Sequence, residues 1–560
     1  MYRLQTVERN NQKNIYPINS MWLPKKEVIK GILLWKWDDI YINRVFLIDE
    51  PLFYIEVEQL TKTQLIIADI VAQDWLQYAN ITLIEGEIMT NKFSRYLKNK
   101  KKIVRHLIDE LGQEYSYVSI LGTDVSATAI SVDRTTANVT PGRLTESGFV
   151  IKVFNGTSYY ELSVNEITSK NIPQIILDVR KMAANKGTIE PVSVAALKED
   201  VLTKRYVRKS KGKDFTSSQI IDILKSYVTK TLAKSPLAIN VRTLVENSEV
   251  SKMFMSKNKD LEQYYTWSGL GCFVLVRTGG NTKYGYSGFG SNNLEMGLVE
   301  LESEIDKALK TAIDLLDSTT PTPGYYDIIT DPSITGLIAH EAFGHGVEMD
   351  MFVRDRAKSQ EYFGKYVASP LVTMHDGAAA TYSVASYFFD DDGVLASDTK
   401  IIDKGILVAG ISDALSALQL NKVPTGNGRR ESYKRKAYTR MTNTFFSPGK
   451  SDVNEMIKSL EHGYLIFETN NGMEDPKNWG IQCTAQYGKE IKNGEFTGKI
   501  IAPVVMSGYV IDLLTSITAV SKDFKVIGSG QCGKGYKEWV RVSDGGPYLK
   551  AKVKIGWLNN

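Results

Sequence analysis

The 560-residue chain carries 68 Lys and Arg against 64 Asp and Glu, a formal charge of +4, with 43% hydrophobic and 24% charged residues. These are ordinary globular values, with no global basicity that points to nucleic acid, and a chain of this length divides into several domains because single cores stop growing at about 250 to 300 residues. The N-terminus has no apolar stretch of signal-peptide length and no run of about 18 apolar residues occurs anywhere, while three cysteines far apart at 272, 483 and 532 cannot form a disulfide framework; the expectation is a soluble, cytoplasmic protein with no membrane partner and no nucleic-acid partner.

Residues 1–95 contain apolar runs such as Arg44 to Ile48 and Gln64 to Ile70 but no chemical motif, and read as an extension of unknown role. From about residue 100 a helical stretch, KKIVRHLIDELG, leads to strand-like segments and the hairpin GFVIKVFNGTSYYEL, whose turn falls at Asn155 and Gly156, and then to a helix at about 170–184. A charged linker near 196–215 and a helix near 217–232 precede a strand at Ala238 to Leu244, a second hairpin, LGCFVLVRTGGNTKYGYSGF, and the helix MGLVELESEIDKALKTAIDLL. Ser147 and Gly148 stand before the first hairpin as Ser268 and Gly269 stand before the second, so 96–320 reads as an α/β domain of two related strand-hairpin-helix units, about 100–185 and 236–316. The basic runs Lys98 to Lys102 and Lys204 to Lys213 read as solvated helix ends or linker.

The segment STTPTPG, Ser318 to Gly324, is the clearest linker. Beyond it, residues 321–560 read as one central helix followed by a β-rich domain, with strand-like TYSVASYFF, a turn at Asp390 to Gly393, then KGILVAGI, KIIAPVVM and YLKAKVKIGW. The fold class is therefore α+β.

The central helix carries the chemistry. Asp331 serves as N-cap, Pro332 fits the first turn, and Ile334, Leu337 and Ile338 form an apolar stripe on which Glu341 also falls. A carboxylate on a buried face is costly unless it is paired or beside a metal, and His340 and His345 flank it in HEAFGHG. Five-residue spacing places the two imidazoles about 140° apart on an ideal helix, and one turn of about 4.4 residues reduces that to about 50°. A widened turn or helix end at 340–346, permitted by Gly344 and Gly346, is therefore expected.

A catalytic zinc usually keeps three protein ligands and a water. Cys272 and Cys483 lie in apolar strand-like runs and read as core residues. Cys532 sits in GSGQCGKG, where glycines expose the sulfur and Lys534 lowers its pKa; the rival third ligand is Glu348, otherwise a group that orients an imidazole. Two imidazoles and one thiolate leave zinc a net charge of +1, enough to bring a bound water towards a pKa of about 7, with Glu341 as general base for attack on a peptide carbonyl.

Three separated blocks, HEAFGHGVEMD at 340–350, PTGNGRRESYKRKAYTRMTNT at 424–444 and GSGQCGKG at 528–535, give the chain a specific likeness. The sequence resembles the TldD/PmbA family of metallopeptidases, in its TldD-like catalytic branch, from about residue 100 to 556. The resemblance implies one zinc per chain on His340, His345 and Cys532, Glu341 as the catalytic residue, and unfolded or short peptides as substrates. It also implies a dimer, either of identical chains or with a related subunit lacking the metal motif. Two departures stand out: residues 1–95 have no counterpart, and the chain continues CGKGYKEWVRVSDGGP after the cysteine, which bears on substrate fit. Other readings are a zinc hydrolase of another amide, such as a deacylase, and a metal-free peptide-binding or assembly subunit. In GNGRRES, Asn427 lies in a flexible turn, and Arg429 and Arg430 either hold a substrate carboxylate at the cleft or pair with Glu431 or the other domain.

Overall fold

The computed structural model describes the backbone of five strands within residues 3–57 and, with side chains, residues 93–184, 195–208, 212–528, 530–535 and 537–556. It divides into two units, Met1–Lys92 and Phe93–Asn560. The strands of the first unit form one antiparallel sheet in the order Lys13–Pro17, Arg3–Val7, Ile32–Trp37, Ile40–Ile48, Leu52–Val57. Arg44 to Ile48 falls in its fourth strand by sequence, whereas Gln64 to Ile70 lies outside the described residues.

In the second unit, residues 117–291 build an eight-stranded sheet with two halves. Tyr117–Val132 and Ala238–Ser256 pair antiparallel at its centre, with Val125 opposite Val250. Outward from that pair the order is the same on both sides: Glu146–Phe154 and Tyr159–Val164 on one, Lys259–Thr278 and Asn281–Ser291 on the other. This is the repeat expected from the sequence, with each half flanked by its own helices, Arg95–Leu111 and Ile172–Ala183, then Ser217–Lys234 and Leu294–Asp314.

Side-chain alternation decides what each face of the sheet does. Ile120 and Met253 in one half, and Ile130 and Val245 in the other, pack on the helices. Val125, Val250, Tyr265 and Trp267 point the opposite way and pack on Ala378, Val384 and Tyr387 of the C-terminal part. The supposed linker at 196–215 contains a strand, Leu202–Arg208, parallel to Lys259–Thr278. Its basic residues are not merely solvated: Arg205 pairs with Glu262 at 2.9 Å and Arg208 lies 4.7 Å from the Tyr382 ring.

The C-terminal part is β-rich. Gly324–Thr330, His462–Asp475, Gly480–Lys492, Val504–Tyr509 and Ser543–Gly556 pair in succession, and the last returns to the first, closing a barrel-like circuit. Asn443–Phe446 extends the sheet outward from Ser543–Gly556. Ile334, Leu337, Ile338, Ala342 and Phe343 of the central helical segment share one core with Ile466, Cys483, Ala485, Leu549 and Ala551 of these strands. The helix that follows Gly324–Thr330 is thus fixed by burial.

Two strand expectations fail here. TYSVASYFF makes no ladder beyond an isolated bridge at Phe389. Its apolar side chains are used against the N-terminal sheet, and the Asn443 side-chain amide donates to the Gly377 and Thr381 carbonyls in place of a strand neighbour. In KGILVAGI only Ile406–Leu407 is strand.

The turn Asp390 to Gly393 buries all three carboxylates. Lys252 pairs with Asp391, Lys152 with Asp392 at 2.5 Å, and Arg430 grips Glu161 with contacts of 2.6 and 2.7 Å. These pairs join the N-terminal sheet to the C-terminal part. Burial alone would raise the Glu161 pKa, but Lys152 and Arg430 bring it down to about 2. A depressed carboxylate pKa adds stability above the unfolded value and loses it as pH falls through the folded one. Glu161→Gln is therefore expected to cost about 3 kcal/mol at pH 7, with the difference from the parent shrinking between about pH 4.5 and 2; urea unfolding at both ends of that window checks it.

Candidate metal centre

The Asp331 carboxylate accepts from the Ile334 N–H at 2.8 Å, so the helix starts as its sequence dictates. It runs as α-helix through Leu337 and then widens: Ile338–Gly344 is π-helical, and the His345 N–H donates to the His340 carbonyl five residues back. This is the wide turn the histidine spacing requires. Gly344 allows it to sit where it does, because a Cβ there would lie 2.2 Å from Met441 Sδ. The rings of His340 and His345 end with centroids 5.1 Å apart.

Cys532 arrives from the opposite side on a short hairpin, Gln531–Lys534 with Lys537–Arg541. Its sulfur lies 3.3 Å from His345 Nε2, and ligand atoms of His340, His345 and Cys532 all fall within 4.8 Å of one another. The glycines around Cys532 do not expose it. The residue is 5% accessible and belongs to the same core as the helix.

Lys534 is not the cation at the sulfur. Its ammonium binds Glu348 at 3.0 Å and Asp350 at 2.9 Å. Arg440, completely buried, takes that place: Nη2 donates to Cys532 Sγ and to the Cys532 carbonyl, each at 2.9 Å, and Nε lies 3.5 Å from Glu348. Glu348 in turn sits 3.2 Å from His345 Nδ1. Of its two sequence readings, the geometry gives the orienting one, since Glu348 is outside the converging set.

Burial disfavours charge on all three converging residues, but the attraction between thiolate and imidazoles outweighs it. Cys532 is held well below the ordinary thiol value, while His340 is pushed up to about 9 and His345 well above its usual range. The set is chemically suited to a cation of intermediate softness such as zinc, with two nitrogens and a prepared thiolate, and unlike the oxygen sets of magnesium or calcium. His340 Nδ1 is buried with no hydrogen-bond partner among the described residues, a polar atom that the protein itself leaves unsatisfied.

Glu341 lines the same cleft, of about 1050 Å³, with Oε2 3.9 Å from His345 Nε2. Gly472 makes room for it: a Cβ there would meet Glu341 Cγ at 2.6 Å. Of the carboxyls that line the cleft besides Glu341 and Glu348, Glu474 and Asp544 are the ones that face the histidines; burial drives the first well above the carboxylate range and the second up to about 6.

Sequence reasoning missed Arg440, Glu474 and Asp544. Arg440 stood unremarked inside the second matching block, and Asp544 inside the divergent continuation after Cys532; Glu474 lies in NGMED, which carries no pattern at all. Conversely, Asn427, Arg429 and Arg430 do not line the cleft. Asn427 donates to Asp376 and to the Arg440 carbonyl, Arg429 to the Met441 and Arg541 carbonyls, and Arg430 to Glu161. The structural alternative holds for GNGRRES: its arginines brace the chain, and Asn427 fixes the backbone of Arg440.

Arg440→Leu removes the donor to the sulfur and leaves Glu348 short of a cation in a buried site. The expected outcome is a metal affinity lower by about 10- to 100-fold and a stability loss of about 3 kcal/mol or more, read by chelator competition and chemical denaturation.

Residues 323–556 match the model of the PmbA/TldA metallopeptidase C-terminal domain. A metalloprotease of Methanocaldococcus jannaschii is 30% identical over 398 residues, 70% of this chain and 81% of its own length. A zinc metalloprotease TldD homolog of Saccharolobus solfataricus is 32% identical over 47% of this chain and 59% of its own. Among solved structures, TldE from Thermococcus kodakarensis superposes with a TM-score of 0.65 at 17% identity, over 81% of this chain and all of that one. At that identity the likeness is one of fold.

Proposed function

Because the chain belongs to the TldD/PmbA family of metallopeptidases, we propose that it is a zinc-dependent peptidase of the TldD-like catalytic branch, hydrolysing unfolded or short peptides. The observation that carries this reading is the convergence of His340, His345 and Cys532, from two distant parts of the chain, beside Glu341 in one large cleft.

His340, His345 and Cys532 would hold the zinc, which supplies Lewis acidity and makes water acidic near neutral pH. Glu348 and Arg440 keep the His345 ring and the Cys532 sulfur in place. Glu341 takes the proton of the attacking water and passes it to the departing amine nitrogen. Gly472 keeps that carboxylate close to the helix, where a larger residue would displace it.

Substrate enters as extended chain. Pairing of Gly324–Thr330 with His462–Asp475 stops at Thr330 and Ile466, so the following stretch, Asn470 to Met473, borders the cleft with that side open. Ser287 to Phe289, on a strand that among the described residues pairs with Lys259–Thr278 alone, border it too. Backbone hydrogen bonds along such edges ignore side-chain identity and suit unfolded peptides.

The three cysteines are free and suit a reducing, cytoplasmic setting, and among the described residues no helix is long and apolar enough to cross a membrane. A dimer, with itself or with a related subunit lacking the motif, completes the proposal; light scattering of the purified chain tests it. Incubating zinc-loaded protein with a mixture of unstructured peptides and reading products by mass spectrometry tests the activity. New peptide termini that disappear with a chelator and return with zinc are expected, and intact peptides in every condition would refute it.

A further inference from the structure

We propose that Glu474 is the anchor of a cation subsite beside the reacting bond, taking an alkylammonium group of the substrate. The inference rests on the peptidase reading above and assigns the cleft a preference that the metal ligands do not explain.

Both carboxylate oxygens of Glu474 are buried; only the Gly346 backbone approaches them, and no side chain among the described residues hydrogen-bonds to either. Among the described residues no Lys, Arg or His forms an ion pair with it either, whereas Glu348 and Asp350 beside the metal centre are both held by cations. A buried carboxylate without a cationic partner is costly, by several kcal/mol for the ionised form. Native chains tolerate that cost where the group has a functional partner. The cleft is the place from which such a partner comes, since Glu474 lines it.

Its position also specifies which atoms of a substrate it meets. Gly472 and Glu474 are alternate residues of the strand His462–Asp475 and so point to the same face. Gly472 touches the Glu341 side chain, and Glu474 abuts Gly346, where a Cβ would come within 2.8 Å of Oε1. Glu474 thus stands about 7 Å along the strand from the residue that seats the general base. That separation is about two residues of extended chain, so the group it binds belongs to a residue within about two positions of the scissile carbonyl. The charged groups facing it are Glu341 and Glu348, which oppose a further anion, and His345, whose ring is turned to Cys532 and Glu348. An ammonium satisfies this surrounding and a substrate carboxylate does not. Two sources offer it: the free α-amino terminus of a peptide and the side chain of an internal lysine.

The test uses full-length zinc-loaded protein and two matched peptide pairs. One pair differs only in a free or acetylated N-terminus, the other in an internal lysine or norleucine. In one pair the cationic member is expected to show kcat/KM at least ten times higher, chiefly through KM, and the pair that discriminates names the source. Glu474→Gln brings that ratio to about one; Glu474→Asp, which keeps the charge on a shorter arm, retains part of it and serves if the Gln variant does not fold. Calorimetry with Glu341→Gln protein reads the same preference as affinity without turnover. Equal kcat/KM within both pairs overturns the proposal, as does a preference that survives Glu474→Gln. Loss of zinc from the Glu474→Gln protein overturns it too, by assigning the residue to metal support. If no peptide is cut by any protein while Glu341→Gln still binds the cationic member more tightly, the subsite stands and the peptidase reading falls.

Discussion

Glu341→Gln is expected to keep one zinc per chain while lowering kcat by about 10²- to 10⁴-fold, the usual contribution of a positioned general base. The two halves of that result come from different parts of the structure. Glu341 is not among the residues whose ligand atoms converge, so an isosteric amide removes nothing from the metal set. The side chain is also held by shape, in the space left by Gly472, and glutamine fills the same space. What the amide loses is the ability to accept a proton from water and return it to the leaving nitrogen. KM should change little, because the proposed backbone contacts of the substrate lie on the strand edges and not on this carboxylate. Metal analysis and steady-state kinetics on one preparation decide it. Loss of zinc with activity would make Glu341 a ligand, and unchanged kcat would remove it from the reaction.

Much of this site was legible in the sequence because it depends on spacing. Asp331, Pro332 and the stripe through Ile338 specify a helix; two histidines five apart cannot share a face of that helix, and the widened turn ending at His345 resolves the conflict. The paired halves of the N-terminal sheet were legible too, since each hairpin declares its own turn. The misses share a different cause. Thr381 to Phe389 alternates like a strand, yet which neighbour its side chains meet is set by a sheet more than a hundred residues earlier. The glycines around Cys532 suggested an exposed loop, but exposure depends on what packs above the chain, and here the helix and Arg440 do. Arg429 and Arg430 had the right chemistry for a substrate carboxylate and found carbonyls and Glu161 instead. Local pattern gives the periodicity of a segment; the partners of a buried charge are a long-range property.

Cys532→Ser is the substitution expected to weaken the metal most, by more than about 100-fold. The hydroxyl is smaller, stays protonated near neutral pH and is a poor ligand for a soft-to-intermediate cation. The environment that prepares the cysteine then works against the serine. Arg440 Nη2, placed 2.9 Å from the sulfur, faces a neutral oxygen in a site from which water is largely excluded, and the two imidazoles lose the anion that draws their ring nitrogens inward. Binding to the native state alone stabilises it by RT ln(1 + [L]/Kd), so the rise in Tm that zinc gives the parent should vanish at equal zinc concentration. Cys272→Ser and Cys483→Ser are the controls: Cys272 is buried in the core of the N-terminal sheet, Cys483 shares the core of the metal-bearing helix but is outside the converging set, and both variants should keep the zinc-dependent rise. Cobalt substitution adds a signature that stability cannot imitate, because the sulfur-to-metal charge-transfer band requires a thiolate ligand. The band should persist in both control variants and be absent from Cys532→Ser; its survival there would place the third ligand elsewhere, with Glu348, already 3.2 Å from His345, the next residue to test.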